Sequence, residues 1–214
     1  SPQVTGQLKE ILGRAYDVTV RTSFDRELCL KHLGIDCKVV PEAIWNYEAK
    51  PAALPYGGKK ILASINAYGA KFAPQIKNAL SNMKIPHTDF TISMQDTSKD
   101  FYYNILSTPD RRVILPESVS LHKKASLLAS MDLVISSRLH AGLLAISHGI
   151  PAVMLKSTPK VRFLMAELGL TEFFVDYNIT SSYIENILSR NHKPRLTEIT
   201  KTMKELSRTP LIPL

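Results

Sequence analysis

Residues Met131 to Arg162, MDLVISSRLHAGLLAISHGIPAVMLKSTPKVR, leave little choice of local structure. The apolar triplet Leu133-Val134-Ile135 reads as a short strand closed by Ser136-Ser137. Arg138-Leu139-His140 opens a helix, which stops at Gly149. Pro151 restarts an extended apolar run, Ala152 to Leu155, and the basic segment Ser157-Thr158-Pro159-Lys160-Val161-Arg162 leads into the next helix. Apolar strands separated by helices need a sheet covered on both faces, which means parallel strands joined by crossovers. Ligands of such a sheet bind beyond the carboxyl ends of its strands. The exposed N–H groups of helix starts at that edge favour anions. Here an arginine and a histidine stand at that edge, so the stretch predicts a site for a phosphorylated, carboxylated small molecule.

The same alternation runs through the rest of the chain. Strands are expected at Ile61–Ile65, Phe90–Met94, Arg112–Leu115 and Phe173–Val175. Helices are expected at Phe72–Met83, Thr97–Leu106, Ser118–Met131, Tyr183–Ser189 and Leu196–Leu206. This predicts an α/β domain, a Rossmann-like parallel sheet with helices on both faces, over residues 59–214. Upstream, residues 1–16 read as a helix with Leu8, Ile11 and Leu12 on one face. A strand (Asp17–Arg21), a helix (Thr22–Leu33, ended by Gly34) and a strand (Cys37–Val40) follow. Residues 1–45 therefore read as a partial βαβ unit, the tail of another Rossmann-like domain. Residues 46–58, rich in proline, glycine and alanine, read as the linker, with Trp45 as its anchor.

A formal net charge of +8 favours an anionic partner. The lysines and arginines are dispersed, without a polybasic block or the aromatic interleaving of an RNA-binding sheet, which argues against nucleic acid. An anionic small molecule, met near a membrane surface, fits better. No apolar run reaches the roughly 18 residues of a membrane helix. The two cysteines, Cys29 and Cys37, read as thiols in a reducing compartment. No histidine or cysteine spacing suggests a metal site, and neither a dinucleotide fingerprint nor a phosphate loop is present.

Arginine presents a planar fork that matches carboxylate or phosphate. Arg138 and His140 lie about 200° apart on a regular helix, but at a helix entry both can line the mouth. The competing reading is an arginine closing the sheet edge and a histidine satisfied in the core. Lys160 and Arg162 follow the next strand and should lie near Arg138; the alternative is a solvated basic loop, with Lys156 the closer cation. Arg21 also follows a strand directly. Asp96 and Asp100 read as helix caps, and His148 as a structural residue at a helix end.

The run Ser136-Ser137-Arg138-Leu139-His140, then Gly149-Ile150-Pro151, then Lys160 about twenty residues after the histidine, resembles the polysaccharide pyruvyl transferase family. Val18-Thr19-Val20-Arg21 and Val39-Val40-Pro41 extend the likeness; where family members carry an acidic Asp-Pro step, this chain has Pro41-Glu42. The resemblance implies two Rossmann-like domains in a GT-B-like arrangement, with this chain holding the C-terminal one and the end of the first. It implies transfer of the pyruvyl group of phosphoenolpyruvate to a glycan or lipid-linked sugar as a ketal. His140 would be the acid/base, and Arg138, Leu139, Lys160, Arg21 and Ser137 would hold substrate. No metal or cofactor is required, and the setting would be the cytoplasm, at the inner membrane surface. A GT-B glycosyltransferase using a nucleotide sugar is the alternative, although residues 138–149 lack the acidic residue many such enzymes use for the ribose. A non-catalytic anion-binding domain is a third reading.

Overall fold

The computed structural model describes residues 2–15, 17–92, 112–115 and 120–208. The helix expected over Thr97–Leu106, the aspartates Asp96 and Asp100, and Ser118 lie outside these residues. The chain divides into two compact units, one holding residues up to Asn46 together with the chain from Lys201 on, the other Tyr47–Thr200.

The first unit contains helix α1 (Pro2–Gly13) and a small βαβ: strand β1 (Thr19–Val20), helix α2 (Ser23–Leu33) and strand β2 (Lys38–Val39). The two strands pair in parallel. Thr22 caps α2, its Oγ1 accepting from Asp25 N at 3.1 Å, and Gly34 N–H closes the other end on Leu30 O at 3.0 Å. Arg26 binds Asp36 with two parallel bonds of 2.7 and 3.0 Å. Leu8 and Ile11, expected to share the packed face of α1, are exposed. Cys37 is buried, and burial, with Cys29 beside it, pushes its thiol up to about 11. Trp45 is sealed on the short turn Ala43–Asn46.

The second unit is a six-stranded, all-parallel sheet. Its strands are β3 (Lys59–Ser64), β4 (His87–Ile92), β5 (Arg112–Leu115), β6 (Leu133–Ser136), β7 (Ala152–Leu155) and β8 (Phe174–Val175), in the order β5-β4-β3-β6-β7-β8. Counted within the sheet this is 3-2-1-4-5-6, the doubly wound arrangement. The chain winds outward one way from β3 and the other way from β6. Right-handed crossovers therefore place helix α3 (Ala73–Ser81) on one face and helices α5 (Leu139–Ser147) and α6 (Pro159–Glu167) on the other. Helix α4 (Leu121–Leu128), capped by Ser120, packs beside α5, while α7 (Ser181–Leu188) packs beside α3. Helix α8 (Lys193–Arg208) closes the described chain.

The core lies where the central strands meet α3, α5 and α6: Ile61, Leu62, Phe90, Val134, Ile135, Val153, Leu144 and Val161 are fully buried. Helix α5 approaches the sheet so closely at Gly142 that a Cβ there would overlap the Met154 sulfur. Of residues 46–58, read as a linker, those from Tyr47 on belong to this unit: Ala49 N donates to His148 Nε2 at 3.0 Å, and Ala52 N to Ser130 Oγ at 2.6 Å. His148 is structural: its Nε2 accepts that backbone N–H, and its Nδ1 lies 2.8 Å from Leu144 O. Among the described residues no helix is long and apolar enough to cross a membrane.

Strand β4 carries a buried carboxylate. Asp89 is 3% exposed, and burial raises its pKa to about 6 while His87, 3.6 Å away on the same face, opposes the shift. A carboxyl whose folded pKa exceeds its ordinary value of about 3.9 stabilises the fold at low pH, and that contribution is lost as pH rises through 6. Asp89→Asn is expected to raise stability at pH 8 by up to about 2–3 kcal/mol, roughly 4–12 °C in Tm for a chain of this size. At pH 4 the two proteins should melt close together. Melts at both pH values check this; a variant no more stable than the parent at pH 8 would contradict it.

Candidate active site at the switch point of the sheet

Winding reverses between β3 and β6, and open α/β sheets bind ligands in the crevice outside the carboxyl ends of the strands at such a reversal. Two turns meet there. One follows β3, where Ile65 and Asn66 lead into a 3-10 helix, Ala67–Phe72. The other follows β6 and is the serine-serine-arginine-leucine-histidine run.

The β6 turn is shaped by two buried hydroxyls. Ser136 Oγ accepts from Arg138 N at 2.9 Å and lies within donating distance of Arg138 O (2.9 Å) and Ser64 O (3.2 Å). This bracket holds Arg138 in an extended conformation, φ −92° and ψ 118°, as the N-cap of α5. Ser137, 2% exposed, points at the opposite turn: its Oγ donates to Asn66 Oδ1 and accepts from Asn66 N, both at 2.8 Å. Ser137 N donates to Ser64 O at 3.0 Å, extending the ladder beyond the strand end.

Arg138 and Leu139 are half-buried at this edge, and His140, in the first turn of α5, is exposed rather than satisfied in the core. Lys160 and Arg162 are exposed near the start of α6, which follows β7, the neighbour of β6. Lys160 therefore belongs to the same carboxyl edge. The closer cation, Lys156, is committed elsewhere: its Nζ pairs with Asp176 at 2.6 Å and lies over the Tyr177 ring, and the carboxylate raises its pKa. Thr158, the N-cap of α6, makes no side-chain cap bond, and its Oγ1 is buried with no hydrogen-bond partner among the described residues. Arg21 lies in the first unit, where Nη1 pairs with Glu42 at 2.5 Å, so the Pro41-Glu42 step supplies the carboxylate next to this arginine.

The sequence reading did not single out Asn66 or Gly69. Asn66 is 7% exposed; its Oδ1 accepts from Gly69 N at 3.0 Å as well as from Ser137. Gly69 is a glycine because of close approach: a Cβ would overlap Ser137 Cβ and lie 2.6 Å from its Oγ. An asparagine between an apolar strand and a helix start is an N-cap signal that sequence could have offered. Its partner on the other turn was not readable that way. Among the described residues no group of three or more histidine, cysteine or acidic side chains could hold a metal ion.

A family model described as "Polysaccharide pyruvyl transferase" matches residues 1–159. The match contains Arg21, Arg138 and His140 and ends one residue before Lys160. No curated protein matches the chain. Among solved structures, TarM aligns with a TM-score of 0.52 at 13% identity, over 95% of this chain and 42% of its own. The EarP structure described for arginine glycosylation of elongation factor EF-P aligns at 0.48 and 14%, over 96% and 66%. The glycosyltransferase SnogD from Streptomyces nogalater aligns at 0.47 and 15%, over 80% and 45%. At 13% identity the likeness to TarM is one of fold, a GT-B fold, and the chain spans between 42% and 66% of the length of these three structures.

Proposed function

The chain belongs to the polysaccharide pyruvyl transferase family, and we propose that it carries the donor site of an enzyme that moves the pyruvyl group of phosphoenolpyruvate onto two hydroxyls of a sugar. The observation that carries this reading is the placement of Arg138 and His140 on one turn at the switch point of a doubly wound sheet, with Lys160 on the adjacent strand's turn.

The chemistry asks for such an edge. Phosphoenolpyruvate brings a carboxylate and a phosphate on one small molecule, so it needs cations and helix starts arranged side by side. Arg138 takes one anionic group with its guanidinium fork. The start of α6, with Lys160, takes the other. Neighbouring strands are about 4.8 Å apart, comparable to the separation of the two anionic groups. In the reaction the methylene carbon gains a proton and the carbon bearing the phosphate is attacked by both sugar hydroxyls. The bond between that carbon and the phosphate oxygen breaks, phosphate departs with the oxygen, and a ketal remains. Two hydroxyl protons are lost; one ends on the new methyl group and the other leaves with phosphate. An imidazole both accepts and donates protons near neutrality. His140, exposed in the first turn of α5, is the group we assign to move them.

The test is a thermal-shift comparison. Phosphoenolpyruvate is expected to stabilise the fold by RT ln(1 + [L]/Kd), about 2.7 kcal/mol at one hundred times Kd, and so to raise Tm, while UDP and ADP leave it unchanged. Stabilisation by nucleotide alone would replace this reading with a nucleotide-sugar glycosyltransferase.

A further inference from the structure

We propose that Asn66 is part of the donor site, its side-chain amide N–H₂ hydrogen-bonding an oxygen of the bound anion while its carbonyl oxygen positions the turn that carries Arg138. This deepens, and rests on, the pyruvyl-transfer reading.

The orientation of the amide follows from its partners. Gly69 N, 3.0 Å away, can only donate, so the atom facing it is the oxygen. The same oxygen accepts from Ser137 Oγ, and Ser137 Oγ in turn accepts from Asn66 N. The nitrogen of the amide is thereby turned away from both turns it ties together. Nδ2 makes no hydrogen bond to any described residue and is not sealed from solvent, so its donor is open to water in the free protein and to a ligand when one binds, although only 7% of the residue is exposed. At this location a ligand has a stated chemistry. Asn66 follows β3 and Ser137 follows β6, the strands on either side of the reversal, where ligands of such sheets lie. Arg138 is the next residue after Ser137. A donor beside an arginine suits a carboxylate or phosphate oxygen, and suits it better than a lysine would, because it fixes direction without adding a mobile charge.

Three variants separate the two jobs of the residue. Asn66→Asp keeps the acceptor oxygen that holds Gly69 and Ser137 and replaces the donor by a negative oxygen. Ser137→Ala keeps the amide and removes the tie. Asn66→Ala loses both. The probes are phosphoenolpyruvate and inorganic phosphate, titrated calorimetrically, with amide hydrogen exchange at Gly69 and Ser137 as a readout of the tie. Asn66→Asp is expected to weaken phosphoenolpyruvate at least tenfold with exchange at Gly69 unchanged. Ser137→Ala is expected to speed exchange at Gly69 and weaken binding less. Parent-like affinity in Asn66→Asp, with the parent binding phosphoenolpyruvate, overturns the proposal and leaves pyruvyl transfer standing. A parent chain that binds neither probe overturns both. Weak binding by Asn66→Asp together with fast exchange at Gly69 also overturns the contact, assigning the residue to the tie alone.

Discussion

Arg138→Ala is expected to remove phosphoenolpyruvate binding, whereas His140→Ala is expected to leave binding near the parent value and remove turnover. The two residues share a turn but not a task. A charge-assisted bond from a guanidinium to an anionic oxygen contributes about 1.5–3 kcal/mol, a factor of roughly 10–150 in Kd. The whole fork is lost at once in the alanine variant. Arg138→Lys should recover only part of the loss, because an ammonium cannot make two parallel bonds. Proton transfer by a positioned imidazole contributes roughly 10²–10⁴-fold in rate, and His140 sits in the first turn of the helix, exposed, where removing it leaves no buried hole. Calorimetry on both variants, with turnover measured on the intact protein, separates the roles. Parent-like turnover by His140→Ala would end its assignment as acid/base, and parent-like affinity of Arg138→Ala would end the donor-site assignment of this edge.

The second large effect is structural. Gly69→Ala places a methyl group against Ser137, whose own Cβ and Oγ cannot withdraw, since Oγ is bonded twice to Asn66. Forcing a methyl into a filled site costs about 1–3 kcal/mol, and opening buried hydrogen bonds adds about 1–3 kcal/mol. A Tm lower by roughly 4–24 °C is expected. The cause can be isolated by a double-mutant cycle with Ser137→Gly. The double variant should be less destabilised than the sum of the singles, because the second change removes the atoms the first one strikes. Additive losses would show that the methyl group offends something other than Ser137. A Gly69→Ala protein with parent stability would mean the two turns are not in contact in solution.

The strand and helix at Leu133–Ser147 were readable because every cue there is local: an apolar run, a serine pair, then an apolar helix. The cap of α2 by Thr22 and its closure by Gly34 were readable for the same reason. The starts of β3 and β4 were not. Lys59 and Lys60 look like solvent, yet they belong to β3 because Asp132 lies 3.2 and 3.9 Å from their ammonium groups. His87-Thr88-Asp89 looks like a turn, yet Asp89 is sealed inside β4 between parallel neighbours. In each case the partner comes from a distant part of the chain, and hydrophobic patterning cannot register it. The same holds at the candidate site. Arg138 and His140 announce themselves by type and position, but Asn66 and Gly69 acquire meaning only through Ser137, 71 residues further on from Asn66.

That separation has a consequence for how the protein comes to exist. The arginine and histidine are specified by a segment that forms its strand and helix locally, but the crevice needs β3 beside β6, a pairing that encloses the whole of β4 and β5. Closing so long a loop is an entropic expense met only when many contacts arrive together. During refolding, helical signal from the segment around α5 should therefore precede any affinity for anions. The binding site is a product of the pairing of β3 with β6, and ligand capture can serve as a clock for that event.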